Sequence, residues 1–202
     1  MTRAELCKTE GGNSCEMLTI CGYRACSQPE RRPVLFFSGR VHPGESNSSY
    51  IVNGLIQFLV SNHEIACALR QHFVFEIIPM LNADGVIHGH YRTSLSGDDL
   101  NRNWSEAQRE RHATIYHAKQ RLKALAGEGR LLFFCDIHGH STTKNVFMYG
   151  CNSNALGSSL FGTTDSSLQT KDVRREQLFP KLFSERCPVF SFRDSRYEIE
   201  KK

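Results

Sequence analysis

The chain has 202 residues, enough for one well-buried domain and too few for two of ordinary size. Hydrophobic residues make up 40% of it and charged residues 23%, and no apolar run approaches the ~20 residues that a membrane-spanning helix needs. The formal net charge of +4 is mild and spread along the chain, without the basic blocks of a nucleic-acid-binding protein. We therefore expect a globular protein that binds neither membranes nor nucleic acid.

The start of the chain predicts little structure of its own. Residues 1–14 are polar and are expected to be loose, whereas residues 16–23 are expected to form an edge strand. We accordingly divide the sequence into a short N-terminal remnant, residues 1–30, and a domain over residues 31–202. No apolar segment of the signal-peptide kind opens the chain, and its eight cysteines show no Cys-x-x-Cys spacing. Structural thiols and a cytoplasmic location are the expectation.

From residue 34 onward, apolar runs alternate with amphipathic segments. The predicted strands are residues 34–37, 73–79, 131–135, 145–150 and 189–192, and the predicted helices are residues 50–60, 63–71, 109–126 and 172–184. Residues 81–104 show no periodicity, and their length predicts a functional loop. A strand, a helix and a strand in this order favour parallel pairing with a right-handed crossover. The predicted fold is α/β, with a mixed, mostly parallel central sheet flanked by helices.

The first polar motif follows the strand at residues 34–37 directly. His42 and Glu45 stand three residues apart on a Pro-Gly turn, before a segment that predicts a helix. An imidazole and a carboxylate held this way can both bind one metal ion and leave another of its coordination positions open. This pattern is half of a catalytic zinc site, which takes two histidines and one carboxylate from the protein.

The missing ligand is expected from residues 136–140, which read Asp-Ile-His-Gly-His and close the apolar run at residues 131–135. Both polar segments would then lie at the ends of buried strands, where open α/β sheets place their ligand sites. Asp136 falls on the same face of its strand as His138 and is expected to orient a neighbour through a hydrogen bond.

Four stretches in this order resemble the zinc metallocarboxypeptidases of the carboxypeptidase A superfamily, and the cytosolic carboxypeptidase branch most of all. They are residues 40–46 (RVHPGES), 79–86 (PMLNADGV), 90–104 (HYRTSLSGDDLNRNW) and 135–141 (CDIHGHS). The resemblance implies the carboxypeptidase-like fold, also called phosphorylase/hydrolase-like, and one Zn²⁺ held by His42, Glu45 and His138.

The resemblance also gives a meaning to the loop at residues 90–104. In the family an Asn-Arg pair binds the free carboxylate of the substrate's C-terminus, and this pair maps onto Asn101 and Arg102. A planar guanidinium suits that task because it offers two charged donors side by side. The arginine that stabilises the oxyanion of the reaction maps onto Arg92, which follows an aromatic residue as the family's does.

The family's general base, a glutamate on a later strand, is expected beyond Lys202. The resemblance therefore implies a C-terminally truncated chain with an incomplete sheet. The implied activity is removal of C-terminal residues, glutamate by resemblance to the branch, from acidic protein tails such as those of tubulin. It would act in the cytosol and at microtubules. Two alternatives stay open: an inactive fragment that binds zinc and peptide tails, and a zinc amidohydrolase of the aspartoacylase type.

Overall fold

The structure, a computed structural model, describes residues 1–22, 32–150 and 175–197. The chain forms two compact units, Met1–Gly139 and His140–Lys202. The first unit holds a five-stranded sheet with strands β1 (Thr2–Lys8), β2 (Ser14–Ile20), β3 (Val34–Gly39), β4 (Val74–Ile78) and β5 (Leu131–Ile137). Its helices are α1 (Ser46–Val60), α2 (Glu64–His72), α3 (Ala83–Ile87) and α4 (Ala113–Gly127), with a 3₁₀ turn at Leu100–Arg102.

The strands lie in the order β1-β2-β4-β3-β5. Strand β3 pairs in parallel with β4 on one side and with β5 on the other, as the strand-helix-strand order predicted. The pairs β1–β2 and β2–β4 are antiparallel, so two of the four pairings are parallel and the sheet is mixed. The α/β class with flanking helices is confirmed.

The N-terminal hairpin differs from its prediction. The loose segment expected at residues 1–14 contains β1, and the strand expected at an edge lies inside the sheet, between β1 and β4. Strand β1 has mostly exposed side chains, so it carries no apolar alternation for a sequence pattern to detect. Its stability comes from pairing with β2, whose Cys15 and Ile20 are buried.

Both faces of the sheet are covered, as expected for its parallel part. On one face Phe36 and Val74 belong to a core cluster with Ile115 of α4. On the other, Ile77 belongs to a cluster with Val52 of α1. All five residues of β4 are buried, which explains why it reads as a continuous apolar run.

One charged residue interrupts that run. Glu76 of β4 is only 3% exposed and points toward α4, where Arg121 Nε lies 2.8 Å from its Oε2. In a second contact, Arg121 Nη2 donates to Oε1 at 2.5 Å. This two-pronged pairing satisfies a carboxylate that would otherwise be costly to bury.

Helix α1 begins at Ser46, four residues before the predicted start. The apolar pattern missed its first turn because the buried residue there is the polar Ser48. The Ser48 hydroxyl accepts a hydrogen bond from the Arg40 N–H at 2.9 Å and donates one to the Ile137 carbonyl at 2.5 Å. A polar side chain here fills a position that the apolar pattern assigns to the outside. It joins the ends of β3 and β5 to the start of α1.

The second unit contains α5 (Arg175–Arg186), near the helix expected there. The strands predicted at residues 145–150 and 189–192 are wrong: the described residues show only isolated bridges, Val146 with Phe190 and Tyr149 with Arg196. Two bridges lack the continuous ladder that a strand needs.

The prediction that the cysteines are thiols is confirmed for part of them. Cys7, Cys15, Cys67, Cys135 and Cys187 are free thiols, whereas Cys21 is disulfide-bonded. Within the described ranges, no helix is long and apolar enough to cross a membrane.

Candidate metal centre

His42 is set by a strained turn at the end of β3. Arg40 has φ of 55°, in the left-handed region that costs a non-glycine residue energy. Its side chain offsets that cost, since Arg40 Nε donates to the Pro43 carbonyl at 2.8 Å. The Asn82 side-chain amide also donates to the Val41 carbonyl, at 3.2 Å. The imidazole of His42 is held inside this turn and is buried.

Gly44 brings the long loop against the same turn. Its N–H donates to the Tyr91 carbonyl at 2.7 Å, and a Cβ placed on Gly44 would lie 2.5 Å from the Tyr91 ring. Only glycine permits this approach. The residue that follows Tyr91 is therefore anchored beside the turn that carries His42.

The other half of the site comes from the end of β5. His138 follows the strand directly, and the Gly139 N–H donates to Glu45 Oε2 at 2.7 Å. A Cβ on Gly139 would lie 2.7 Å from Asn47 Oδ1 and 3.1 Å from Glu45 Cγ, so a larger residue would crowd the Glu45 side chain. Parallel pairing of β3 and β5 places these two strand ends side by side.

The three predicted ligands meet at one point. Glu45 Oε1 lies 2.7 Å from His42 Nδ1, and Glu45 Oε2 lies 3.1 Å from His138 Nδ1. One ligand atom from each of the three residues lies within 4.8 Å of the others, a group that could hold a metal ion. The side chains are 5%, 17% and 28% exposed for His42, Glu45 and His138, so the cluster is sheltered on the His42 side and open toward His138.

Each imidazole has a second carboxylate behind it. His42 Nε2 lies 3.1 Å from Asp99 Oδ1, and His138 Nε2 lies 2.8 Å from Asp136 Oδ2. The Ser38 hydroxyl donates to Asp136 Oδ1 at 2.6 Å and fixes that carboxylate in turn. With Nε2 hydrogen-bonded outward, both Nδ1 atoms face the cluster, which is the arrangement of metal-ligating histidines. Two imidazoles and one carboxylate fit catalytic zinc.

The electrostatics favour a cation at this point. Burial alone would raise the pKa of Glu45, but hydrogen bonds from His138, His42 and the Gly139 N–H outweigh it and hold that pKa well below the usual range. Burial alone would lower the pKa of His138, but the Asp136 and Glu45 carboxylates raise it to about 9. The carboxylates that favour a proton on His138 in the metal-free protein also favour a bound cation, which replaces that proton.

The predicted oxyanion-stabilising and carboxylate-binding residues lie next to Asp99. Arg92 Nε lies 2.8 Å from Asp99 Oδ2, and Arg102 Nε lies 4.0 Å from the same oxygen. The Asn101 N–H donates to Asp99 Oδ1, while its side-chain oxygen accepts from Trp104 Nε1 at 3.1 Å. Both guanidiniums thus converge on the carboxylate that supports His42. Their side chains are 44% and 52% exposed, so each has surface to offer a ligand.

Sequence reasoning missed Asp99 and Ser38. Asp99 precedes the Asn-Arg pair by two residues, inside a motif that was already singled out, but nothing in the spacing indicates that it contacts His42. Ser38 sits in an apolar strand, and a buried hydroxyl there is the signal that could have pointed to a partner. The orienting role expected for Asp136 matches its contact with His138.

Comparison with known proteins identifies the family of this chain. The family described as zinc carboxypeptidase matches residues 1–155. Cytosolic carboxypeptidase 1 of Danio rerio is 47% identical over 205 residues, which cover 98% of this chain and 18% of that protein. Cytosolic carboxypeptidase 4 of Mus musculus is 43% identical, over 97% of this chain and 18% of its own length. The chain therefore spans less than a fifth of the length of these two relatives.

Solved structures show the same fold. A metallo-carboxypeptidase from Burkholderia cenocepacia superposes with a TM-score of 0.78 at 25% identity, covering 98% of this chain and 49% of that one. A metallo-carboxypeptidase from Pseudomonas aeruginosa, in complex with (2-guanidinoethylmercapto)succinic acid, gives 0.62 at 28% identity, covering 72% and 37%. Ligand cluster, fold and sequence agree, and the chain belongs to the zinc carboxypeptidase family, in its cytosolic carboxypeptidase branch.

Proposed function

We propose that this chain carries the metal- and carboxylate-binding part of a zinc metallocarboxypeptidase, with His42, Glu45 and His138 as ligands of one Zn²⁺. The observation that carries the proposal is the meeting of both Nδ1 atoms at the two oxygens of Glu45. When bound, zinc supplies a Lewis acid that polarises a carbonyl and lowers the pKa of a water molecule. The chain's own part is to hold three ligands in place and to bind and orient the substrate.

The C-terminal carboxylate of the substrate would bind Asn101 and Arg102. The 3₁₀ turn Leu100–Arg102 is capped by Asp99, whose Oδ1 accepts a hydrogen bond from the Asn101 N–H at 2.9 Å. This cap fixes the backbone from which the side chains of Asn101 and Arg102 extend. The solved Pseudomonas aeruginosa relative, whose complex holds a succinic acid derivative, is consistent with recognition of carboxylates by this fold. A guanidinium that is half exposed can exchange water for such a group at low cost.

Arg92 would stabilise the negative charge that develops on the carbonyl oxygen. Its contact with Asp99 orients the guanidinium beside the support of His42, so the donor is placed before the substrate arrives. A donor that is already oriented stabilises the transition state without a reorganisation cost. The Asp99 carboxylate thus joins a ligand imidazole and the proposed oxyanion donor in one unit.

We further propose that the residue removed is glutamate, from acidic protein tails such as those of tubulin, in the cytosol. The support is membership in a branch whose relatives are named cytosolic carboxypeptidases. The formal charge of +4 suits acidic tails and is weaker support.

A second candidate is a zinc-binding module that binds peptide tails without cutting them. Its support is that the two outer carboxylates are already used: Asp99 binds His42 and Asp136 binds His138. A carboxylate that supports a ligand imidazole is not available to take a proton from water. Two further glutamates near the end of the chain, Glu198 and Glu200, lie outside the described residues.

The test is release of free glutamate from a glutamate-ended peptide by the purified, zinc-loaded chain. Release that a chelator abolishes and zinc restores supports the peptidase. Binding of the peptide by folded, zinc-loaded protein without release supports the second candidate. A chain that neither retains zinc nor binds the peptide contradicts both.

A further inference from the structure

Two cysteines lie opposite each other in the N-terminal hairpin, away from the metal site. Cys7 of β1 and Cys15 of β2 are direct register partners in the antiparallel pair. Both are free thiols in the structure. The register of the hairpin shifts between Glu5 and Cys7, and this irregularity brings Cys7, not its neighbour, opposite Cys15.

Their placement satisfies the geometry of a disulfide. Residues directly opposite each other in an antiparallel pair have Cα atoms about 4.5 to 5.5 Å apart, and a disulfide needs about 4.4 to 6.8 Å. Side chains of such partners also point to the same face of the sheet. Oxidation would therefore require rotation of two side chains and no movement of the strands.

The two thiols are unequal in access and in acidity. Cys15 is 1% exposed and belongs to the core, whereas Cys7 is half-buried and lines an open groove of about 650 Å³ between the end of β1 and the start of α4. Interaction with the Cys15 thiol lowers the pKa of Cys7, although burial and the Glu5 carboxylate oppose that effect. Interaction with Cys7 and burial raise the pKa of Cys15. Cys7 is thus the thiol that a reagent reaches and the one that ionises first.

The groove suits a small peptide-sized oxidant. Its lining includes both cationic and anionic side chains, namely Lys8, Glu10, Arg109, Glu110, Arg111 and His117. The groove is open to solvent, so a reagent of this size can approach the Cys7 side chain without being enclosed. Oxidised glutathione, a disulfide that carries carboxylates and amines, is the chemical class of reagent that matches it.

We propose that Cys7 and Cys15 form a reversible redox pair, a modification site at which a small-molecule disulfide drives an intramolecular disulfide across the hairpin. The Cys7 thiolate attacks one sulfur of oxidised glutathione, forms a mixed disulfide and releases one glutathione thiolate. The Cys15 sulfur, losing its proton to solvent, then attacks the Cys7 sulfur and releases the second glutathione. The protein loses two electrons and two protons, and one glutathione disulfide becomes two thiols.

The experiment equilibrates the folded full chain in buffers of rising oxidised-to-reduced glutathione ratio, followed by acid quenching, alkylation and mass spectrometry. A protease that cleaves after glutamate, at Glu5, Glu10 and Glu16, places Cys7 and Cys15 on separate short peptides and Cys21 on a third. We expect a linked product whose mass is that of the two reduced peptides together minus two hydrogen atoms. The linked fraction should rise with the ratio of oxidised to reduced glutathione and return to zero with excess reductant.

Variants separate the pair from the other thiols. Cys15→Ala should stop the reaction at the mixed disulfide of Cys7 with glutathione, whereas Cys67→Ala should leave the linkage unchanged. Because the linkage is read on the unaltered chain, the result does not depend on the folding of a variant. Three outcomes would overturn the proposal: a Cys7 that stays reduced in excess oxidised glutathione, one that stays glutathionylated, or one that links to another cysteine.

Discussion

His42 Nε2 lies 3.1 Å from Oδ1 of Asp99, on the opposite side of the ring from Glu45. The imidazole is buried, and this carboxylate helps to orient it and offers an acceptor for a proton on Nε2. The same carboxylate binds Arg92 through its other oxygen. A change at Asp99 should therefore affect the metal site and the loop of residues 90–104 together.

The first prediction follows from that contact. Asp99→Asn keeps the size of the side chain and its cap on the 3₁₀ turn but removes the charge behind His42. We expect zinc affinity to fall about tenfold to a hundredfold, measured by competition with a chromogenic chelator. Asp98→Asn is the matched control, since Asp98 binds Arg111 and His112 instead. Equal losses in both variants would show that Asp99 has no specific role behind His42.

The ligand assignment makes the most direct prediction. His42→Ala or His138→Ala leaves two donors of the three, and we expect the purified chain to lose its zinc. Metal content per folded protein, with folding checked by circular dichroism, is the measurement. His72→Ala, an exposed histidine at the end of α2, should retain normal zinc. Normal metal content in either of the first two variants would refute the assignment.

The meeting of the three proposed ligands could be predicted from the sequence because the segments that carry them each follow a strongly apolar strand. Residues 34–37 and 131–135 read as buried strands, and the polar residues just beyond them had to meet once those strands paired in parallel. Asp99 lies in a loop without periodicity, so no pattern could place it behind His42. Strand β1 could not be predicted, for a related reason. Its exposed side chains carry no apolar alternation, and its pairing with β2 is a property of the folded chain and not of the local sequence.

Gly139→Ala should disturb metal binding. A Cβ there would lie 2.7 Å from Asn47 Oδ1, which can rotate away, and 3.1 Å from Cγ of Glu45, so the proposed ligand side chain would have to shift by a few tenths of an ångström. We expect zinc affinity to fall at least about tenfold, because site geometry is sensitive to shifts of a few tenths of an ångström. In Gly127→Ala an added Cβ meets nothing within 4 Å, and zinc affinity should not change. Titration of both variants with zinc makes the comparison.

Arg102 should discriminate between free and blocked peptide ends. Loss of a charged, two-pronged donor in Arg102→Ala is expected to weaken binding of a peptide with a free C-terminal carboxylate about tenfold to a hundredfold. Binding of the amidated peptide should change little. Fluorescence anisotropy on the zinc-loaded chain measures both, with the exposed Arg109→Ala as control. Equal loss for the two peptides would remove the carboxylate-binding role.

Asp84 should make the hairpin contribute to stability in a pH-dependent way. Its carboxylate accepts hydrogen bonds from Thr9 Oγ1, Asn13 Nδ2 and the Gly11 N–H at 2.6 to 2.8 Å. Burial alone would raise the pKa of Asp84, but these hydrogen bonds outweigh it and lower that pKa. A depressed pKa in the folded state means that the ionised carboxylate stabilises the fold at any pH above the unfolded value of about 3.9, and that this contribution is lost as the pH falls below it.

We therefore expect Asp84→Asn to lower the free energy of unfolding by about 2 kcal/mol at pH 7. The difference from the unaltered chain should shrink as the pH is lowered from about 4 toward 2, since protonation then removes from the unaltered chain the charge that the variant already lacks. Urea unfolding of the metal-free chain at several pH values measures this, which keeps zinc release out of the comparison. Glu64→Gln, at an exposed carboxylate in the first turn of α2, is the control and should show no such difference. A difference between Asp84→Asn and the unaltered chain that stays constant down to pH 2 would mean that the hairpin is held by the shape of the side chain and not by its charge.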